Sequence, residues 1–134
     1  MVRELSIVTK GQGLHEVTAH VRAIVAESGL QEGLCTVFIR HTSASLIIQE
    51  NADFTARQDL EAWLNRLVPE MDPIYTHRAE GPDDMPAHVK AALTAVSLSI
   101  PIIEGSLSLG TWQGIYVWEH RRARHERHIV VHVS

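Results

Sequence analysis

The apolar positions change period several times along the chain, and each change marks an element. Leu5, Ile7 and Thr9 alternate with Ser6, Val8 and Lys10, the two-residue period of a strand, and Gly11-Gln12-Gly13 ends it. Val17, Val21, Ile24 and Val25 then recur at helical spacing, with Gly29 placed as a C-terminal stop. The run Leu34 to Arg40 is short, apolar and β-branched, as is Leu46-Ile47-Ile48. Both predict buried strands, one delivering its end to His41 and the other to Glu50-Asn51. From Asp53 the helical period returns: Leu60, Trp63, Leu64 and Leu67 share a face, Asp53 can cap it, and Pro69 closes it.

Pro69 to Asp84, rich in proline and acidic residues, reads as an ordered loop of the length that often carries function. Pro86 suits the first turn of a third helix, with Val89, Ala92, Leu93 and Val96 as its buried stripe. Ile100–Ile103, Trp112–Glu119 and His128–Val133 predict closing strands, the last two joined as a hairpin through Arg121–Arg127. Strands and helices intermingle without a regular βαβ rhythm. This predicts an α+β fold, one domain over residues 1–134, with a mixed or mostly antiparallel sheet and helices packed on one side.

Composition narrows the possible roles. A chain of 134 residues buries roughly two-thirds of its unfolded surface, enough for one core. The formal charge of −4 gives no general attraction to nucleic acid or anionic lipid. Arg121, Arg122, Arg124 and Arg127 are therefore expected at a solvated hairpin tip rather than on a nucleic-acid surface. The single cysteine, Cys35, lies in an apolar strand, so no intrachain disulfide forms and a plain core role is expected. No apolar run approaches the length that spans a membrane, and the N-terminus has no signal core; a cytoplasmic protein without a membrane partner is expected.

Nine histidines do change the picture. His41 at a strand end, His77 in the ordered loop and His88 in the first turns of a helix would each project from a rigid element. Three imidazoles with an open position are a common catalytic arrangement for zinc or a similar divalent ion. Their spacing has no regular signature, and solvated or core histidines are the competing reading. His15, His20, His120, His125, His128 and His132 suit ordinary exposed positions.

Thr42, Ser43 and Ser45 after the strand can present hydroxyls and backbone N–H groups to an anion, or simply form a polar turn. Glu50 and Asp53 can orient a ligand or act as acid and base, with capping as a second role for Asp53. Glu80 to His88 combines a turn with three carboxylates, which by themselves describe a solvated acidic loop. Gly110, Thr111 and Gln113 stand at the start of a strand, where glycine permits close backbone approach to a ligand.

The segment Ser97-Leu98-Ser99-Ile100-Pro101-Ile102-Ile103-Glu104-Gly105, running on into Leu109-Gly110-Thr111-Trp112-Gln113-Gly114-Ile115, resembles the signature of the YjbQ-like family of secondary thiamine-phosphate synthases. His41-Thr42-Ser43, Glu50-Asn51-Ala52-Asp53, His77 and His88 follow in the family's order, so the resemblance spans essentially the whole chain. It implies a homotrimer with a bound divalent metal, zinc before magnesium or another ion, beside a pocket that accepts anions. The activity it implies joins a pyrimidine pyrophosphate to a thiazole phosphate with loss of pyrophosphate.

The expectation is thus a metal-dependent enzyme acting on a phosphorylated small molecule. In it His41, His77 and His88 bind the ion, Thr42, Ser43, Ser45, Asn51, Gly110, Thr111 and Gln113 hold the substrate, and Glu50 and Asp53 handle protons. The alternative is a noncatalytic trimer that binds metal and a phosphometabolite.

Overall fold

A computed structural model describes residues 1–134. In chain order the elements are β1 (Val2–Thr9), β2 (Gly13–Glu16), α1 (Thr18–Ser28), β3 (Glu32–Ile39), β4 (Ala44–Glu50), α2 (Phe54–Leu67), α3 (Asp84–Leu93), β5 (Ser97–Ile103), β6 (Ser106–Leu107), β7 (Gln113–Glu119) and β8 (His125–Val133). Every strand pairing is antiparallel, and the α+β class expected from the sequence holds. The strands divide, however, into a five-stranded sheet ordered β1-β8-β3-β5-β6 and a three-stranded sheet ordered β2-β7-β4.

The two sheets face each other across the main core. Cys35, Val37 and Ile39 of β3, Ile100 and Ile102 of β5, and Ile129, Val131 and Val133 of β8 meet Ala44 and Leu46 of β4 and Ile115 and Val117 of β7. α1 closes this core with Val21, Ile24 and Val25, and Gly29, at φ 69°, ends the helix in the left-handed conformation that glycine adopts without strain. Cys35 is wholly buried, and burial pushes its thiol up to about 11, consistent with the core role read from sequence.

β7 is buried on both faces. Its alternate residues Tyr116 and Trp118 turn away from the main core and pack with Leu14, Leu64 and Val68 under α2. Two-sided burial explains why its sequence is apolar at nearly every position rather than alternating.

Three expectations are corrected by packing. The segment after Gly11-Gln12-Gly13 first forms the short strand β2, whose Leu14 pairs with Trp118, before α1 begins. On α2 only Leu64 of the predicted face is fully buried, while Trp63 and Leu67 are exposed, because the helix meets the small sheet along one narrow line. On α3 the predicted stripe is exposed at Ala92 and Leu93, its last member Val96 lies beyond the helix end, and Asp84, Pro86, Ala87, Lys90 and Ala91 are buried instead. Periodicity found α3 but not its orientation, because polar partners pull the acidic end inward.

Candidate functional site

α3 begins in a chain of acidic residues that solvent does not claim. Asp84 occupies its first turn and His88 the next, and the i, i+4 spacing places both on one face. The preceding loop folds back so that His77 Nε2 donates to Asp84 Oδ2 at 2.6 Å, and His88 Nε2 approaches the same oxygen at 3.2 Å. Glu80 Oε2 lies 3.3 Å from His77 Nε2. One ligand atom from each of His77, Glu80, Asp84 and His88 thus falls within 4.8 Å of the others. Two imidazole nitrogens and two carboxylates converging on one point form a mixed N/O donor set of the kind that suits a small divalent cation.

The site is held from below by Arg121. Its Nη1 donates to Asp84 Oδ1 at 2.7 Å, its Nε to Asp83 Oδ2 at 3.0 Å, and its Nη2 to the Glu80 carbonyl at 2.9 Å. One guanidinium therefore clamps both ends of the turn and leaves Asp84 Oδ2 to the histidines. Burial alone would raise the Asp84 carboxyl, but the His77 hydrogen bond and the Arg121 charge hold it below the usual carboxylate value. His77 moves the other way, upward, chiefly through its hydrogen bond to Asp84. Beside His77 opens a cleft of about 330 Å³ whose walls include Met71, Tyr75, Pro82, Met85 and Arg78.

His41 stands apart from this cluster. Its Nε2 accepts from the His128 backbone N–H at 2.7 Å, its Nδ1 faces Arg127 Nη1 at 3.3 Å, and its ring stacks on His128. Burial, then Arg127, lowers its pKa. The structure therefore brings together His77 and His88 of the three expected histidines and supplies Glu80 and Asp84 in place of His41.

The expected anion-binding residues lie elsewhere. Ser43 Oγ accepts from Arg127 Nη2 at 3.0 Å, Ser45 Oγ meets His120 Nε2 at 2.9 Å, and Thr42 is exposed. Gly110 N donates to Gln113 Oε1 at 2.8 Å, and the Asn51 N–H donates to the Trp112 carbonyl at 2.9 Å. With exposed Thr111, these residues build the turn that leads into β7. Asp53 caps α2 by accepting from Thr55 N at 2.9 Å. Glu50 pairs with Gln113 at the end of β4. None of them lines the cleft beside His77.

The basic hairpin is corrected more sharply. Arg127 is buried, donating through Nε to Glu119 Oε1 at 2.7 Å and pairing through Nη2 with Glu119 Oε2, while Arg121 organises the acidic turn. Only Arg124 keeps the solvated role expected of all four; Arg122, though exposed, pairs with Glu70. Glu80, Asp84 and Arg121 are the site residues that sequence reading passed over. A signal was available for one of them, since Asp84 precedes His88 by one helical turn.

With this geometry in place, comparison with known proteins is direct. The family model described as UPF0047 protein YjbQ-like matches residues 3–134. The chain belongs to this family. A UPF0047 protein of Synechocystis sp. is 55% identical over 130 residues, covering 97% of this chain and 88% of the relative. The YjbQ protein of Escherichia coli O157:H7 is 39% identical over 129 residues, covering 96% and 93%. Among solved structures, an uncharacterized conserved YjbQ/UPF0047 family protein of Clostridium acetobutylicum superposes with a TM-score of 0.90 at 36% identity, covering 98% of this chain and 99% of that one. A conserved hypothetical protein of Thermus thermophilus gives 0.88 at 32% identity, with 98% and 99% covered. This YjbQ-like chain therefore carries the family fold over nearly its whole length.

His120 is a buried histidine where an exposed one was expected. Burial drives its pKa down from 6.5 to about 3, so the ring is neutral in the folded protein and charges on unfolding. A histidine depressed in this way contributes stability that is complete above its unfolded value and is lost as pH falls toward the folded one. The stability read by urea unfolding of the wild type should therefore fall as pH drops below 6.5, this group's share steepening to about 1 kcal/mol per pH unit once the unfolded histidine is protonated. His120→Gln should show a shallower acid limb, and an unchanged slope would remove the histidine as its cause.

Proposed function

We propose that the chain is a metal-dependent enzyme acting on a phosphorylated small molecule, with the thiamine-phosphate synthase activity that its YjbQ-like resemblance implies. The observation that carries this reading is the convergence of His77, Glu80, Asp84 and His88 beside an open cleft. These four residues would hold the ion, with zinc the first choice for a mixed imidazole and carboxylate set. A bound divalent ion supplies positive charge where a phosphate leaving group departs.

The chain's own residues set up the rest. Arg121 fixes the Asp84 carboxylate so that it need not reorganise when substrate arrives. Met71, Tyr75, Pro82 and Met85 offer an apolar wall to a heteroaromatic ring. Arg78 on the same wall offers a cation to a phosphate, and its guanidinium is held by donating through Nε to the Tyr75 carbonyl and through Nη2 to the Pro73 carbonyl. The new bond joins the thiazole nitrogen to the pyrimidine methylene carbon as the carbon–oxygen bond to pyrophosphate breaks.

Self-association as a trimer belongs to the same reading. The outer face of the five-stranded sheet exposes Leu34, Phe38 and Ile103, an apolar surface that a second copy can cover.

The test is formation of thiamine phosphate from the pyrimidine pyrophosphate and thiazole phosphate by purified protein, with and without chelator, on material whose mass is read on a sizing column. Metal-dependent product from a trimer is expected, and Asp84→Asn should lower the rate by at least about 100-fold. Metal and phosphate binding without turnover would favour the noncatalytic alternative.

A further inference from the structure

Lys90 is the one lysine that the fold buries, at 4% exposure. Its ammonium donates to Asn65 Oδ1 at 2.5 Å, an amide oxygen, and it forms no ion pair. Fully buried lysines are almost always paired, yet Glu70 and Asp83 attract this charge only from beyond ion-pair distance, being engaged by Arg122 and Arg121, and two of its three N–H donors have no partner. They border a polar cavity of about 170 Å³ between α2, α3 and the end of β7.

The other walls explain why no protein group answers Lys90. Glu119 is near, but Arg127, Thr9 and the Arg121 backbone N–H use both of its oxygens. Glu61 uses Oε1 to accept from Leu14 N at 2.8 Å, and its Oε2 makes no hydrogen bond. Gln12 donates through Nε2 to the His120 carbonyl, and His120 engages Ser45 through Nε2, leaving its Nδ1 without a partner. The cavity is thus lined by a buried cation and by a carboxylate with one oxygen free of hydrogen bonds.

We propose that this cavity binds a small organic carboxylate that also carries a hydroxyl or amino group. The carboxylate pairs with Lys90 and the ligand's own donor hydrogen-bonds to Glu61 Oε2. A volume of about 170 Å³ is below the roughly 300–1,000 Å³ typical of drug-sized ligands, so the ligand has only a few carbon atoms. The cavity shares no residue with the histidine cluster or its cleft. His88 and Lys90 are two apart on α3 and so face away from one another, which makes this a second site independent of the proposed metal.

The probes are L-lactate and L-alanine, with propionate as the isosteric acid lacking the donor, titrated by calorimetry into the full chain after exhaustive EDTA treatment. At least one of the first two should bind about tenfold more tightly than propionate, since the comparison isolates a hydrogen bond to a charged oxygen. Glu61→Gln should narrow that ratio and Lys90→Met should abolish binding. Should Lys90→Met fail to fold, NMR of the wild type decides, with shifts on ligand addition expected at Gln12, Glu61 and His120. No saturable binding, equal binding to folded Lys90→Met, or shifts centred on His77 and His88 would each overturn the proposal.

Discussion

A His77→Ala/His88→Ala double variant is expected to lose stoichiometric divalent metal, measured by mass spectrometry of the dialysed protein, while His41→Ala keeps it. Removing even an outer partner of a metal ligand costs about 10–100-fold in affinity, and here two ligands go at once. The contrast with His41 separates two geometries. Three histidines gathered from distant segments would make all three necessary, whereas the structure engages His41 with Arg127 and the His128 backbone. Equal metal content in wild type and double variant would remove the cluster as a metal site. Loss of metal in His41→Ala alone would place the site at His41 instead.

The second large effect concerns stability. Arg127 and Glu119 form an ion pair whose side chains are 4% and 0% exposed, supported by Thr9 Oγ1 at 2.5 Å from Glu119 Oε1. Arg127→Met should destabilise the fold by about 3–5 kcal/mol in urea unfolding, because it leaves a buried carboxylate without its cation. Adding Glu119→Gln should recover part of that loss, since the uncompensated charge is then gone.

The pair also carries a pH signature. Burial alone would raise the Glu119 carboxyl, but Arg127 and Thr9 hold it below its usual value. Its contribution is therefore complete above the unfolded carboxylate pKa and disappears as pH falls through the lower folded one. A single variant as stable as the wild type would show the pair to be dispensable.

The distribution of correct and corrected expectations has a physical pattern. The periods of β1 and α1 depend on which side of each element is apolar, and the apolar runs of β3 and β7 mark strands; both are written locally. Which neighbour covers an apolar side is not: Tyr116 and Trp118 could have faced solvent, but α2 covers them. Likewise Ala92 and Leu93 satisfy helical spacing and still point outward, because the buried side of α3 is chosen by Arg121 and by the Lys90 hydrogen bond to Asn65.

The sequence by itself determined the α+β class, the core role of Cys35, family membership through motifs spread along the chain, and Asp53 as a capping candidate; it singled out His77 and His88 only as members of a three-histidine set with His41. Only the tertiary structure decided that strands part into two sheets, that His41 leaves the cluster while Glu80 and Asp84 enter it, and that arginines of an apparently solvated hairpin become its internal supports. The reason is one of range. Periodicity and capping act within a turn or two of the backbone, whereas Arg121 lies 37 residues from Asp84 and Arg127 lies 84 from Ser43. Charges buried over such separations are paired by the fold as a whole, and no local pattern announces the partner.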